Sequence, residues 1–263
     1  MVETERGGSQ KIIRLETVSS TNDEAKRLGE AGAPGGTVVV AAEQTRGRGR
    51  RSREWQSPRG GLWMSMVARP RGKPVFAVPM ITIAAGVAVA EALAEAFSDL
   101  ALDPGRVGLG WPNDVLVEDK KIAGILCEAL FPASAPLFVV IGVGVNVNNR
   151  ASDMPRPVSG SATSLIELSG REYPIDHALE IFVQSLENTV GPLLRGGAGQ
   201  SEKILSIWKK RSVLLGREVK IQSPGSARYT AVPYGIDSSG RLLVKDVAGK
   251  NIAVEFEETT LIR

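Results

Sequence analysis

Hydrophobic and polar residues alternate along short stretches of the chain, and longer stretches repeat them with the period of a helix. Alternating or continuously apolar runs predict strands, at residues 11–16, 37–42, 61–67, 115–117, 122–130 and 137–147. Helical periodicity covers residues 23–32, 76–98, 161–169, 175–191 and 200–211. Short strands joined by tight turns, with helices packed on them, predict an α+β fold with a mixed, largely antiparallel sheet.

Two local signals refine this pattern. Thr21 and Glu24 have the spacing of a capping box, which places the start of the first helix near Thr21. Lys120 and Lys121 form a basic turn between two strands, and the hairpin spacing would bring Asp114 close to Lys121. We therefore expect these two side chains to lie together in space.

The pattern changes after Gly216, where helical periodicity stops and short strands alternate with turns up to Arg263. This segment resembles a five-stranded barrel of the SH3-like kind. Its seven Lys and Arg residues nearly balance its six Asp and Glu residues, so the segment does not predict nucleic-acid binding. We expect a larger domain over residues 1–212 and a small domain over residues 213–263.

Composition points to a soluble protein of a reducing compartment. Cys127 is the only cysteine, so no disulfide can form within the chain, and its apolar surroundings predict a buried core thiol. The polar N-terminus lacks the apolar core of a signal peptide. Polar residues interrupt the apolar run 76–97, which favours a helix of the protein over a membrane span. We therefore expect a cytoplasmic location.

Residues 44–55 hold the most unusual local chemistry, five arginines within eight residues, with glycines between the first three. Glycine-rich backbone can approach a phosphate closely, and arginine adds bidentate hydrogen bonds. Trp55 ends the loop and would stack on a base or cover an apolar pocket. The loop alone leaves three interpretations open: a phosphate-binding loop, a non-specific RNA-binding segment and a solvated basic turn.

The segment Trp111-Pro-Asn-Asp114 is the second candidate, although a plain Pro-Asn-Asp turn would have the same composition. Asp114 would hold magnesium or orient a phosphate-bearing ligand, and Lys121 would place its charge on a carboxylate or an α-phosphate. His177 is the only histidine, so a histidine-based triad is not expected. The sequence has no Cys/His zinc cluster and no Walker loop, and Gly142-Val-Gly144 lacks the rest of a dinucleotide motif.

Four motifs in order carry a resemblance that covers nearly the whole chain. They are Ser19-Ser-Thr-Asn22, the loop 44–55, Trp111-Pro-Asn-Asp114 with the strand Lys121-Ile-Ala-Gly-Ile-Leu126, and Ile141-Gly-x-Gly-x-Asn146. Together they resemble the biotin–protein ligases. That resemblance implies a class II synthetase-like catalytic domain and an SH3-like tail. It implies that biotin and ATP, with Mg²⁺, form biotinoyl-5′-adenylate and pyrophosphate, and that biotin passes to a lysine of a biotin carboxyl carrier domain.

The resemblance also implies roles for individual residues. The residues implied for biotin are Ser20, Thr21, Asn22, Gln44, Gly47, Arg48, Arg50, Lys121, Gly124 and Gly142. Those implied for ATP are Arg48, Arg50, Arg53, Trp55, Asn113, Asp114, Lys121 and Asn146. Lys121, Arg50 and Asp114 are implied as catalytic, and Asp114 as the residue that supports magnesium through Mg-ATP.

Two positions depart from the family pattern. Ser52 stands where the loop usually has a third glycine, and Gly110 stands where a lysine usually precedes Trp111. Some family members carry an N-terminal helix-turn-helix domain. Because few residues precede the first strand, we expect a monofunctional enzyme without specific DNA binding. We also expect no membrane association, and a monomer or a homodimer. A lipoate or octanoate ligase or transferase of the same fold is the nearest alternative, and a basic nucleic-acid-binding module is the other.

Overall fold

The computed structural model describes residues 3–7, 10–70, 78–130, 137–150, 153–155, 158–222, 228–255 and 260–262. The strands of these residues are β1 Glu3–Gly7, β2 Gln10–Val18, β3 Val38–Gln44, β4 Leu62–Ala68, β5 Val107–Gly110, β6 Asp114–Val117, β7 Lys120–Leu130, β8 Phe138–Val145, β9 Val219–Gln222, β10 Tyr229–Ile236, β11 Leu242–Asp246, β12 Asn251–Val254 and β13 Thr260–Ile262. The α-helices are α1 Thr21–Glu30, α2 Val78–Asp99, α3 Val158–Ser161, α4 Leu165–Ser169, α5 Ile175–Leu194 and α6 Gln200–Arg211.

The larger sheet has eight strands in the order β1-β2-β3-β4-β8-β7-β6-β5. Only the pair β2 and β3 is parallel among the described strands, and α1 connects them. All other neighbours in this sheet run antiparallel. The predicted α+β class with a mixed, largely antiparallel sheet is therefore confirmed.

Helices cover both faces of this sheet, as the alternation of side chains along its strands requires. Val38, Met64 and Ile141 belong to the large apolar cluster that includes α2 and α5. Their neighbours Val39 and Val140 point the other way and pack with Ala25 of α1 in a second cluster. The start of α1 is thereby fixed against the centre of the sheet.

Helix α2 is the central helix of the core. It is long and apolar enough to cross a membrane by length and composition alone, but 83% of its most apolar window is buried inside the protein. Its apolar residues are buried all round, as expected for a helix packed between a sheet and a second helix layer.

The smaller sheet has five antiparallel strands in the order β12-β11-β10-β9-β13. The predicted five-stranded segment is thus present, but no pairing joins β12 to β13 among the described residues, so closure into a barrel is not seen. Trp111 anchors this sheet to the larger one, because its buried indole Nε1 donates to the carbonyl oxygen of Gly240 at 2.9 Å. The boundary near residue 212 stays a prediction.

Several local expectations were wrong. The turn between β6 and β7 is Glu118–Asp119, whose φ angles of 50° and 65° are those of a two-residue type I′ turn, so Lys120 and Lys121 lie in the strand. The capping box is absent: Ser20 is the N-cap residue and makes no side-chain cap hydrogen bond. Thr21 does not cap the helix because its hydroxyl is hydrogen-bonded to Gln44.

Two further elements differ from the pattern. The helix predicted over 161–169 is two short helices, because Ser164 adopts extended backbone and caps α4. Strand β1 was not predicted, since Glu-Thr-Glu-Arg-Gly has no apolar alternation. It forms the edge of the sheet, where charged sequence is common because it discourages pairing with other chains.

Candidate active site

A cavity of about 540 Å³ opens over the centre of the larger sheet. The start of α1, the end of β3, the arginine loop and strands β6 to β8 form its walls. Thirteen of the fifteen residues implied by the resemblance line it, namely Ser20, Thr21, Asn22, Gln44, Arg48, Arg50, Arg53, Trp55, Asn113, Asp114, Lys121, Gly124 and Gly142. Residues that are distant in sequence therefore meet in one pocket.

Hydrogen bonds between buried side chains build one end of the cavity. The side-chain oxygen of Gln44 accepts from the backbone N–H of Thr21 at 2.8 Å and from its hydroxyl at 3.0 Å. Ser65, on β4, donates to Asn22 Oδ1 at 2.6 Å, and its oxygen lies 2.8 Å from Thr21 Oγ1. Gln44 also donates to Ser57 at 2.8 Å. These polar groups hold one another in fixed orientations, as a ligand pocket with a few placed polar groups requires.

Two glycines allow the close approaches that shape this end. A Cβ atom on Gly142 would overlap the side-chain oxygen of Asn22, so only glycine lets Asn22 lie against β8. A Cβ atom on Gly47 would overlap the carbonyl oxygen of Trp55 and lie 2.5 Å from Ser57 Oγ. Gly47 lies outside the cavity lining, and its place in the structure is to let the two arms of the loop approach each other.

Lys121 and Asp114 form an ion pair at the middle of the cavity, with 2.6 Å between Nζ and Oδ1. The hairpin explains the proximity, because Asp114 of β6 pairs with Gly124 of β7 while a bulge shifts the register near Leu116. Asn113 is pinned to the same strand, since its side chain donates to the carbonyl of Ile125 at 2.8 Å. The predicted juxtaposition of Asp114 and Lys121 is therefore present.

The indole of Trp55 lies across the strands instead of at the tip of an open loop. A Cβ on Gly144 would be 2.5 Å from its Nε1, and one on Gly124 would be 3.1 Å from its ring. The ring packs edge-on against Trp63 at 6.4 Å, and Lys121 Nζ is 4.9 Å from its centroid. Its buried Nε1 has no hydrogen-bond partner within the described residues. The indole therefore lies over β7 and β8 and forms part of the cavity wall.

The arginine loop folds back on itself. The backbone N–H of Gly49 donates to the carbonyl oxygen of Arg53 at 2.7 Å, and the backbones of Arg48 and Glu54 form an isolated antiparallel β-bridge across the loop. Ser52 and Arg51, in a short 3₁₀ turn, both have φ of 56°. This left-handed region favours glycine, which explains why glycine is usual at position 52. Serine adopts the same backbone conformation only with strain.

Four residues of the site have roles that the sequence reasoning missed. They are Asp23, Ser57, Ser65 and Glu128. Ser65 is a lone hydroxyl in a buried strand, and Glu128 is a lone charge in the apolar run Ile122–Leu130. An isolated polar residue inside an apolar strand is the signal that would have found both, since such groups require partners when buried.

Glu128 stays ionised despite its position. Burial opposes ionisation, but hydrogen bonds from Lys26 and Asn22 and the charges of Lys26 and Arg48 outweigh it, so the pKa of Glu128 lies below its ordinary value. By contrast, burial raises the pKa of the Cys127 thiol to about 12, as expected of an inert core thiol. His177 is exposed on α5 beside Asp99 and is not part of the cavity lining.

Asn146 and Gly110 are buried and are not part of the cavity lining. Asn146 is buried, donates to the carbonyl of Thr163 and accepts from Asn149, both at 3.0 Å, and is not part of the lining. Its implied contact with nucleotide stays a prediction. Gly110 is buried at the end of β5, paired with Asp114. Any charge contributed there by a lysine in relatives is missing from this chain.

The donor set fits magnesium only when a nucleotide carries it. Within the described residues there is no group of three His, Cys, Asp or Glu side chains that would hold a resident metal ion. Among the described residues, Asp114 is the carboxylate within ion-pair distance of Lys121. Mg²⁺ commonly binds through one or two carboxylates plus substrate phosphates, and that arrangement suits this cavity.

Comparison with known proteins gives consistent matches. Residues 15–146 match the model of the biotin/lipoate A/B protein ligase family. The chain is 31% identical over 258 residues to the biotin–[acetyl-CoA-carboxylase] ligase of Mycobacterium tuberculosis, covering 98% of this chain and 91% of that protein. It is 33% identical over 241 residues to the bifunctional ligase/repressor BirA of Bacillus spizizenii, covering 91% of this chain and 71% of that protein.

A solved structure shares the fold. Biotin protein ligase from Aquifex aeolicus, in complex with biotin and ATP, matches with a TM-score of 0.78 and 28% identity. The match covers 96% of this chain and 98% of the other.

Proposed function

The chain belongs to the biotin/lipoate A/B protein ligase family, and from this premise we propose that it uses ATP to activate biotin and transfers it to a carboxylase. Biotinoyl-5′-adenylate and pyrophosphate are the products of the first step. The acceptor of the second is one lysine of a biotin carboxyl carrier domain. The relatives named biotin–[acetyl-CoA-carboxylase] ligase support this choice within the family.

One observation carries the proposal: the polar groups at the start of α1, Lys121 and the arginine loop all line a single cavity. Biotin has an apolar double ring, a ureido group and a carboxylate tail. The hydrogen-bonding groups of Thr21, Asn22 and Gln44 suit the ureido group, and the wall formed by Trp55 suits the tail. The carboxylate would then end at Lys121.

The first step depends on charge neutralisation by the protein and does not require covalent catalysis by a side chain. An oxygen of the biotin carboxylate attacks the α-phosphorus of ATP. A carbonyl–oxygen–phosphorus linkage forms, the bond from the α-phosphorus to the bridging oxygen breaks, and pyrophosphate leaves with the electron pair. Two anions must approach, so the Lys121 ammonium and the Arg50 guanidinium lower the barrier by neutralising them. Asp114 keeps Lys121 in the cavity before the ligands arrive.

The second step needs protection from water. The adenylate is a mixed anhydride that water would hydrolyse, so the loop 44–55 must cover it until an acceptor lysine enters. The lysine amine attacks the acyl carbon, an amide forms, and AMP leaves with the electron pair of the broken carbon–oxygen bond. The glycines of the loop allow it to move, and phosphate draws its arginines inward.

The roles of individual residues are part of the proposal. Ser20, Thr21, Asn22, Gln44, Gly47, Arg48, Arg50, Lys121, Gly124 and Gly142 would form the biotin site. Arg48, Arg50, Arg53, Trp55, Asn113, Asp114, Lys121 and Asn146 would contact ATP. Magnesium carried by the triphosphate would supply further charge neutralisation, and Asp114 would hold it.

Partners and location complete the proposal. The absence of specific DNA binding and of membrane association, a monomeric or homodimeric state and a cytoplasmic location all stay predictions. The modest net charge of +3 and the proposed role of the loop arginines at a small ligand support the first of these predictions.

Parallel labelling separates biotin from the nearest alternative substrate. The purified chain is incubated with ATP, Mg²⁺ and either biotin or lipoate, with a biotinyl domain and a lipoyl domain as acceptors. We expect biotin on the biotinyl domain and neither acid on the lipoyl domain. Lipoylation of the lipoyl domain without biotinylation would assign the chain to the lipoate branch instead.

A further inference from the structure

Glu128, on β7, joins three parts of the site through one carboxylate. Its Oε1 accepts from Lys26 Nζ at 2.6 Å, and its Oε2 accepts from Asn22 Nδ2 at 2.7 Å. Arg48 Nη2, from the arginine loop, lies 3.5 Å from the same Oε2. The carboxylate therefore connects strand β7, helix α1 and the arginine loop next to the polar end of the cavity.

Asn22 lines the cavity and is the residue through which Glu128 affects the lining. With Nδ2 donating to Glu128, Oδ1 faces Ser65 and accepts its hydroxyl proton at 2.6 Å. Ser65 is fully buried and lies beside Thr21, whose hydroxyl donates to Gln44. The carboxylate oxygen of Glu128 thus selects one of the two orientations of the Asn22 amide. That orientation in turn fixes the direction of the Ser65 hydroxyl beside Thr21.

Arg48 has a second partner that is independent of Glu128. Its Nη2 lies 2.5 Å from Asp23 Oδ1, closer than the 3.5 Å to Glu128. Removing Glu128 leaves Arg48 with Asp23, whereas it leaves Asn22 Nδ2 with only the 3.4 Å contact to the carbonyl of Leu126. Among the described residues, Lys26 would keep only Asp23, at 4.0 Å, but it does not line the cavity, so the effect of Glu128 on the cavity lining is mainly through Asn22.

We propose that Glu128 is a positioning residue that sets biotin affinity by fixing the amide of Asn22, an inference that rests on the function proposed above. Glutamine has the same shape but presents an NH₂ group to either Lys26 or Asn22, so it cannot accept from both. An acceptor oxygen of a charged group contributes more than a neutral one. We expect Glu128→Gln to raise the biotin Kd about tenfold.

Glu24→Gln is a matched control. Glu24 is on α1 and its side chain is 22% exposed, against 26% for Glu128, and it pairs with Arg27 away from the cavity. Biotin binding by the full chain is measured by titration calorimetry without ATP, with the binding stoichiometry reporting the folded fraction. Wild type and Glu24→Gln should bind alike, while Glu128→Gln should bind about tenfold more weakly at an unchanged stoichiometry.

Glu128→Asp keeps the test decisive if the glutamine variant does not fold. It retains the charge beside Lys26 but shortens the reach to Asn22, so an intermediate loss of affinity is expected. A biotin Kd within twofold of wild type in the folded variant, or an equal loss in Glu24→Gln, overturns the positioning role. Absence of biotin binding by the wild-type chain would instead count against the proposed function, so the two failures are distinguishable.

Discussion

Gly142→Ala tests the polar end of the cavity by changing a single contact, the one between β8 and Asn22. The added Cβ would overlap Asn22 Oδ1 and lie 2.9 Å from Asn22 Cγ and 3.0 Å from Asn22 Nδ2, so the amide must move. That movement weakens the hydrogen bonds to Ser65 and Glu128, which are 2.6 Å and 2.7 Å long. A hydrogen bond contributes about 1 kcal/mol and one to a charged group about 2 kcal/mol.

Full loss of both bonds would cost about 3 kcal/mol, and partial relaxation of the side chain lowers this to about 1.5–3 kcal/mol. Because biotin binding requires the Asn22 amide in its original orientation, this free energy is lost from binding, and the biotin Kd should rise about 10- to 100-fold. Gly235→Ala is the control, because a Cβ there meets nothing closer than Lys209 Cε at 3.6 Å. The assay is equilibrium binding of labelled biotin. Equal biotin affinity in Gly142→Ala and wild type would refute the close contact between Asn22 and β8.

Three further predictions concern Lys121, Ser52 and Glu128. Lys121→Ala should slow adenylate formation at least about 100-fold, far more than it weakens biotin binding, since charge neutralisation acts mainly in the transition state; equal losses in single-turnover rate and in binding would contradict it. Ser52→Gly should slow adenylate release about threefold in a chase experiment, because glycine adopts the φ of 56° without the strain of serine; faster release would argue against that conformation in the closed loop. The pKa of Glu128 is below its ordinary 4.5, so its contribution to stability is present above pH 4.5 and is lost as pH falls through the folded-state pKa. The difference in Tm between wild type and Glu128→Gln should therefore shrink below pH 4.5, and a constant difference down to pH 3 would oppose this assignment.

Local patterns in the sequence predict much of the fold because they reflect local physics. Six of the eight described strands of the larger sheet, all except β1 and β5, follow from apolar runs, and α2 follows from a long helical stretch. The pairing of Asp114 with Lys121 could also be predicted, since one hairpin joins them. Even there the turn was misplaced, because two non-glycine residues, Glu118 and Asp119, adopt positive φ.

Contacts between distant segments were beyond the sequence. Asp23 meets Arg48, and Asn22 meets Glu128, only because α1 lies across β4 and β8 at one particular register. The position of Trp55 over Gly144 depends on how the loop folds back against the sheet. Such contacts need the relative placement of several elements, which no periodicity along the chain records.

The central claim is that this chain activates biotin with ATP in one cavity around Lys121. Exchange of labelled pyrophosphate into ATP by the purified chain tests it most directly, because exchange requires reversible adenylate formation but no acceptor protein. We predict exchange that depends on biotin and Mg²⁺ and is lost in Lys121→Ala. Exchange that lipoate supports and biotin does not, or no exchange by a chain that binds both biotin and ATP, would contradict the claim.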